Sequence, residues 1–191
     1  MTEKEMMEKL KATLKPKRYI HSLGVCDTAI KLAKQFEVDS DKAYLAGLLH
    51  DCAKCFEHEK QLELCRQYGI ELSKITLECP AVIHAPLGAA VAKTEYGIED
   101  EEILRSIELH TTGGCDMTKL DKIIYIADMI EPSRDYKGVD SLRKAAKEDL
   151  DKAMLMALQS TLKFNIKKGS IIHPDTIDAW NDLLITHKES D

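Results

Sequence analysis

The sequence lacks any long apolar run, and this absence limits the classes of protein that it can encode. No stretch approaches the roughly 18 apolar residues of a membrane span, and residues 1–17 alternate acids and bases instead of forming a signal-peptide core. We therefore expect a soluble, cytoplasmic protein with no membrane partner. Its six irregularly spaced cysteines are expected to be free thiols. The CxxC of Cys52 and Cys55 has no second pair at zinc spacing and is interpreted as coincidence.

Glycine, proline and clustered positive charge are also scarce. Only 9 glycines and 5 prolines occur among 191 residues, with 44% hydrophobic and 31% charged residues, which is typical of a helical globular protein. The formal charge of −6, with no basic cluster beyond Lys15-Pro16-Lys17-Arg18, argues against a nucleic acid polymer as partner. A small phosphate ester is still compatible with this charge as a ligand, because a bound cation and a few lysines or arginines can supply local positive charge.

Common phosphate-binding and nucleophile motifs are missing as well. The chain has no glycine-rich phosphate loop, no nucleophile elbow and no stretch with the period of two expected of a strand. Apolar residues instead recur at helical spacing along most of the chain. The sequence predicts a single all-α domain, with helices that begin at the N-caps Asp100 and Thr118. One helix or two over 141–168 should bury Phe164 on the apolar face.

The feature that organises the sequence is the tandem pair His50-Asp51 at the end of an apolar helical stretch. Burying a carboxylate without partners is costly, so further polar residues are expected beside this pair. The chain offers four, each on or beside a stretch of helical apolar spacing: His21, His84, His110 and Asp128. One histidine on an apolar face is usually a hydrogen-bonded core residue, but four would each need a separate buried partner. The set therefore predicts a site for iron, manganese or zinc.

Three further residues could bind an anionic substrate beside such an ion. Lys54 lies one turn beyond His50, Arg134 follows the segment of Asp128, and Thr111 supplies a hydroxyl next to a candidate histidine. Taken alone, each has a simpler explanation as a solvated lysine, a surface arginine or the end of a helix. Their position beside the predicted ligands favours contacts with phosphate oxygens.

The order and helical context of His21, His50-Asp51 and Asp128 resemble the H…HD…D signature of the HD-domain metal-dependent phosphohydrolases. A more extended similarity to the YqeK-like branch of this family covers roughly Arg18 to Leu184. It is carried by His50-Asp51-Cys52-Ala53-Lys54, His84 with Gly88-Ala89, Tyr96-Gly97-Ile98, His110-Thr111-Thr112-Gly113, residues 120–128, Ile130-Glu131-Pro132-Ser133-Arg134, Gly138-Val139, Leu142-Arg143 and Ile172-His173-Pro174-Asp175-Thr176.

The resemblance implies a bacterial, iron-dependent enzyme that hydrolyses diadenosine tetraphosphate, and related dinucleoside polyphosphates, symmetrically to two nucleoside diphosphates. Carried over residue by residue, it implies the metal ligands His21, His50, Asp51 and Asp128, and the phosphate-facing residues Lys54, His84, His110, Thr111 and Arg134. His50, Asp51, Asp128, His84 and His110 would be catalytic. We favour one iron with His84 and His110 on the substrate side, whereas two ions would need Asp51 to bridge them; manganese or zinc could substitute.

The expected organisation is an N-terminal helix over 1–17, an HD-domain helical bundle over 18–186 and a C-terminal tail over 187–191. Two other functions stay open at this stage. One is an HD-domain hydrolase that acts on a different nucleotide, and the other is a metal or nucleotide sensor that activates no water. A homodimer is also open.

Overall fold

The computed structural model describes the backbone of residues 1–189 and the side chains of residues 1–186. This part of the chain contains eleven α-helices and two short 3₁₀-helices and no strand, which confirms the all-α prediction. In chain order the α-helices are α1 (Glu3–Thr13), α2 (Pro16–Gln35), α3 (Ser40–Leu49), α4 (His58–Gln67), α5 (Lys74–Leu77), α6 (His84–Tyr96), α7 (Glu101–Leu109), α8 (Lys119–Ile130), α9 (Val139–Ala145), α10 (Leu150–Lys168) and α11 (Pro174–Glu189). The 3₁₀-helices are Cys52–Cys55 and Pro80–Val82.

Side-chain caps fix the starts of the helices that matter for the site. Asp100 accepts hydrogen bonds from the backbone amides of Glu102 and Ile103 in the first turn of α7, and Thr118 forms a capping box with Asp121 at the start of α8. Both predicted N-caps are therefore confirmed. The last helix extends to Glu189, so it takes up the first three residues of the predicted tail, whose remaining residues 190–191 lie outside the described part.

The predicted helix or helix pair over 141–168 consists of two helices, α9 and α10. Asp149 caps the start of α10, and the first half of this helix packs on α8. The prediction that Phe164 is buried is wrong, because its side chain is 63% exposed. No residue of α10 after Leu158 is buried, so the last turns of the helix run beyond the elements that cover its first half.

A single apolar core lies between the central helices. α2 packs against α3 and α8, and α7 packs against α3, α6 and α8. Large fully buried side chains of this core include Leu48, Leu49, Ile107, Ile123, Ile124 and Ile126. The N-terminal helix joins the same core through Met6 and Leu10, and burying each such side chain stabilises the fold by about 1.5–3 kcal/mol.

Two further observations concern the chain as a whole. All six cysteines are free thiols, as predicted. Within the described residues, no helix is long and apolar enough to cross a membrane.

Gly47 sets the distance between α2 and α3. A Cβ atom at this position would lie 3.2 Å from the backbone nitrogen and Cα of Cys26, so a larger residue would push the helices apart. Three residues later, His50 directly follows α3 and donates from Nδ1 to the Gly47 carbonyl at 2.7 Å. The close approach brings Nε2 of His50 to 3.3 Å from Nε2 of His21 on α2.

Candidate metal centre and adjoining cleft

Three segments deliver four of the predicted residues to one point. His21 lies on α2, His50 and Asp51 follow α3, and Asp128 lies on α8. Nε2 of His21 is 2.9 Å from Oδ1 of Asp128 and 3.7 Å from Oδ2 of Asp51, and Nε2 of His50 is 3.3 Å from the same Asp51 oxygen. The first three residues are buried and Asp128 is 19% exposed through its side chain. We call these four residues the metal cluster.

Hydrogen bonds on the outer side of the two imidazoles determine what their inner side offers. Nδ1 of His21 lies 3.0 Å from Oε1 of Glu131, and Nδ1 of His50 lies 2.7 Å from the Gly47 carbonyl, so each Nδ1 carries the donated proton. In the neutral rings the lone pairs are then on the two Nε2 atoms, which face each other at 3.3 Å beside two carboxylates. Two facing lone pairs beside two carboxylates are unfavourable unless a proton or a metal ion lies between them. The residues present therefore fit a divalent metal ion of the iron, manganese or zinc type.

The charges in the metal cluster also favour binding of a cation. Burial opposes a charge on His50, but the carboxylates of Asp51 and Asp128 outweigh it and raise the pKa of this histidine. Burial would raise the pKa of Asp51, yet His50 and two further histidines hold that pKa well below its usual range. Burial would likewise raise the pKa of Asp128, but its contacts with His21, His50 and Arg134 outweigh burial and lower that pKa. The cluster thus keeps its carboxylates ionised and attracts positive charge.

The other two predicted histidines face the second oxygen of Asp51. Nε2 of His84 is 3.2 Å and Nε2 of His110 is 3.6 Å from Oδ1 of Asp51. Nδ1 of His110 donates to the Ile107 carbonyl at 2.6 Å, so its Nε2 can accept a hydrogen bond from Nε2 of His84, 3.1 Å away. Burial lowers the pKa of His84 to about 4, which favours the neutral ring. These two histidines can therefore satisfy each other, although with Asp51 they form another possible metal-binding group, and His110 forms a third with His50 and Asp128.

Three cations surround the carboxylates. Nζ of Lys54 lies 3.2 Å from Oδ1 of Asp51, and Arg134 bonds to the Asp128 carboxylate and, from Nε, to its carbonyl at 2.7 Å. The third cation is Arg18, whose Nη1 lies 2.7 Å from Oδ2 of Asp51. About a third of each of the three side chains is exposed. They are thus placed to contact phosphate oxygens that approach the cluster from solvent.

Thr111 is the predicted substrate residue that has no side-chain contact with the metal cluster in the described structure. Its hydroxyl oxygen is buried and has no hydrogen-bond partner among residues 1–186. The residue lines a different cleft, of about 170 Å³, whose walls include Pro86, Glu108 and His173. Its role in binding phosphate stays a prediction.

A family model for the HD domain matches residues 18–133, a span that contains the whole metal cluster. The chain belongs to the HD-domain family. Among the relatives of this HD-domain chain is the symmetrical bis(5'-nucleosyl)-tetraphosphatase of Halalkalibacterium halodurans, 40% identical over 188 residues that cover 98% of this chain and 100% of the relative. A protein of the same name from Staphylococcus aureus is 44% identical over 175 residues, covering 90% of this chain and 89% of the relative.

The fold is also that of a solved HD-domain structure. A crystal structure from Clostridium acetobutylicum, described as a predicted HD superfamily hydrolase involved in NAD metabolism, is 48% identical and superimposes with a TM-score of 0.95. The superposition covers 97% of this chain and 98% of that chain. The HD-domain resemblance in the sequence and the helical-bundle fold that it implies are confirmed.

Two polar residues of this HD-domain site were not singled out in the sequence analysis. Arg18 lies three residues before His21, and Glu131 lies three residues after Asp128, so each pair shares one side of a helix or its continuation. Glu131 is 1% exposed and is held by the Ser133 hydroxyl and by the Ser133 amide at 2.7 Å. Its hydrogen bond to His21 makes it a positioning residue for a predicted metal ligand. The i, i+3 spacing was the signal that could have identified both.

The metal cluster adjoins a cleft of about 580 Å³, which we call the cationic cleft. Its walls are formed by Lys15, Lys17, Arg18, His21, Glu131, Ser133, Arg134, Asp135 and Tyr136. The cleft therefore connects a predicted metal ligand with four basic side chains.

Proposed function

We propose that this chain is a metal-dependent hydrolase that splits diadenosine tetraphosphate, and related dinucleoside polyphosphates, symmetrically into two nucleoside diphosphates. The observation that carries the proposal is the buried cluster of histidines and carboxylates surrounded by three cations, in a chain that aligns over nearly its full length with relatives named symmetrical bis(5'-nucleosyl)-tetraphosphatase. A phosphoanhydride resists water chiefly because its negative charges repel the nucleophile. Fixed positive groups at the site reduce that repulsion.

His21, His50, Asp51 and Asp128 would hold one iron, with manganese or zinc able to substitute. When bound, such an ion lowers the pKa of a coordinated water and neutralises phosphate oxygens. The outward hydrogen bonds of the two histidines support this assignment, because they leave both Nε2 atoms free for coordination.

The other residues of the site act on the substrate. Lys54, Arg18 and Arg134 would exchange part of their contact with the Asp51 and Asp128 carboxylates for phosphate oxygens, and so place the middle phosphorus atoms at the cluster. His84 would donate its Nε2–H to the departing diphosphate in place of His110, and an imidazolium form of His110 would donate a second hydrogen bond from Nε2. The Thr111 hydroxyl would donate to a phosphate oxygen.

The test is anaerobic incubation of the iron-loaded protein with diadenosine tetraphosphate, followed by chromatography of the products. We expect ADP alone, and formation of AMP with ATP would refute symmetrical cleavage. A panel of cyclic dinucleotides, alarmones and nucleoside triphosphates run in parallel tests the alternative substrate. Binding of iron and nucleotide without turnover of any of them would establish the sensor function.

We also propose that residues 18–186 form the HD domain, with α1 packed against it as the N-terminal helix of the same core. The cytoplasmic location and a homodimer stay predictions. Limited proteolysis and light scattering test the domain boundary and the oligomeric state.

A further inference from the structure

The cationic cleft contains basic residues that the proposed reaction does not yet use. Four of its wall residues are basic and two are acidic, in a chain whose overall formal charge is −6. One of the acids, Glu131, is buried and already hydrogen-bonded to Ser133 and His21. The cleft is therefore a local concentration of positive charge beside the metal cluster, a property that attracts polyanions.

Lys15 and Lys17 differ from the two arginines of the same cleft. Arg18 and Arg134 form ion pairs with cluster carboxylates, whereas neither lysine forms an ion pair or side-chain hydrogen bond with any described residue. Both lysines are exposed. Lys15 occupies the N-cap position of α2, but its side chain makes no capping hydrogen bond. Lys17 and Arg18 lie in the first turn, where the helix macrodipole disfavours positive charge. An anion bound in the cleft would offset this unfavourable arrangement.

The cleft also offers an aromatic surface and enough volume for one nucleotide. Tyr136 lines it and is partly buried, with its hydroxyl donating to the Met129 carbonyl at 3.1 Å, which fixes the side chain in the wall. An aromatic ring in such a position can stack on a base. The volume of about 580 Å³ lies within the roughly 300–1,000 Å³ of small-molecule sites.

The position of the cleft relative to Asp51 identifies which part of a substrate it could take. Lys54 and the pair of His84 and His110 face Oδ1 of Asp51, whereas Arg18 faces Oδ2 and also lines the cleft. Symmetrical cleavage at the cluster leaves two phosphates on each side of the broken bond. One diphosphate would then face the Oδ1 side, and the other would extend from the Oδ2 side into the cleft.

We propose that Lys15 and Lys17 bind the second nucleoside diphosphate half of the substrate, with Tyr136 beside its base. This inference rests on the proposed function, because it assigns the two halves of a dinucleotide to the two sides of Asp51. The lysines are binding residues and touch neither the metal ligands nor the bond that breaks.

The test uses Lys15→Gln, Lys17→Gln and the double variant, with Lys31→Gln as a matched control. Lys31 is an exposed lysine on the same helix and lies outside the cationic cleft. Because single exposed charge contacts contribute little to affinity, we expect KM for diadenosine tetraphosphate to rise about threefold in each variant and about tenfold in the double variant. kcat and iron content should stay at the wild-type level, and Lys31→Gln should match wild type throughout.

A second measurement does not depend on turnover. Inorganic tripolyphosphate should bind the double variant more weakly than wild type in calorimetry, and added salt should remove most of the difference. Unchanged KM and unchanged tripolyphosphate affinity in the double variant would overturn the assignment. If wild type fails to hydrolyse diadenosine tetraphosphate, the proposed function fails, and the tripolyphosphate titration still decides whether the lysines form an anion site.

Discussion

Asp51→Asn is the most informative single perturbation, because both oxygens of this carboxylate face charged or metal-binding groups. Oδ2 lies 2.7 Å from Nη1 of Arg18 and 3.3 Å from Nε2 of His50, and Oδ1 lies 3.2 Å from Lys54 and from His84. Asparagine keeps the shape of the side chain but removes its charge. The variant therefore loses a proposed metal ligand with little change in packing.

The expected magnitude follows from linkage between metal binding and folding. Loss of a group that merely orients a ligand weakens metal binding about 10–100-fold, so loss of the ligand itself should weaken it at least about 100-fold. At a free metal concentration of about 100 times the wild-type Kd, binding stabilises wild type by about 2.7 kcal/mol and the variant by about 0.4 kcal/mol. For a chain of 191 residues, the difference of about 2.3 kcal/mol corresponds to a gap of roughly 5–9 °C in metal-induced Tm shift.

The assay is anaerobic thermal unfolding with and without ferrous iron, together with elemental analysis of the purified protein. Asp27→Asn is the control, since Asp27 is an exposed carboxylate on the helix that carries His21. We expect the control to keep the wild-type iron content and Tm shift, and Asp51→Asn to lose both along with turnover. An Asp51→Asn protein with wild-type iron content and an unchanged Tm shift would refute the assignment of the metal cluster.

Three further outcomes are expected. His84→Ala and His110→Ala should each keep the wild-type iron content and lose turnover or substrate affinity; two irons per wild-type chain, falling towards one in either variant, would instead establish a second ion. Glu131→Gln should weaken iron binding about 10–100-fold in a competition titration with a chelator, because it removes the charged acceptor of a ligand histidine; an unchanged Kd would contradict that positioning role. A limiting thiol reagent should label exposed Cys115 before buried Cys52, whose pKa is raised by burial, and equal labelling in mass spectrometry would contradict the packing of Cys52.

Local sequence signals predicted most of the fold because helix starts depend on neighbours in the chain. Asp100 and Thr118 cap helices through bonds to amides two or three residues away, so their role is visible in the sequence. Phe164 was predicted wrongly because the same apolar spacing continues along α10 after the partner elements end. Periodicity identifies the apolar side of a helix, but it does not show how far a neighbouring helix covers that side.

The site could be predicted in part for a related reason. Histidines and carboxylates on apolar helix faces need partners, and this requirement selected His21, His84, His110 and Asp128 as neighbours of His50-Asp51. The division of these residues into metal ligands and phosphate-facing residues came from the family resemblance. The pairing of Arg18 with Asp51 joins the start of α2 to the end of α3, so it depends on the crossing of two helices. The close contact at Gly47 sets that crossing, and no local sequence pattern predicts it.

The hydrogen bonds of the site also bear on the number of ions that it would hold. When His21 and His50 are neutral, neither Nε2 atom carries a proton, so these two atoms cannot form a hydrogen bond with each other. His84, by contrast, can donate a hydrogen bond to His110 when no ion is bound. Oδ1 of Asp51, which would have to bridge to a second ion, already lies 3.2 Å from the ammonium group of Lys54. Arg18 lies 2.7 Å from Oδ2 of the same carboxylate, so an ion on either side of Asp51 would have to displace a cation. The hydrogen bonds of the histidines are what differ between the two sides, and they favour one ion held by His21 and His50, with His84 and His110 facing the substrate.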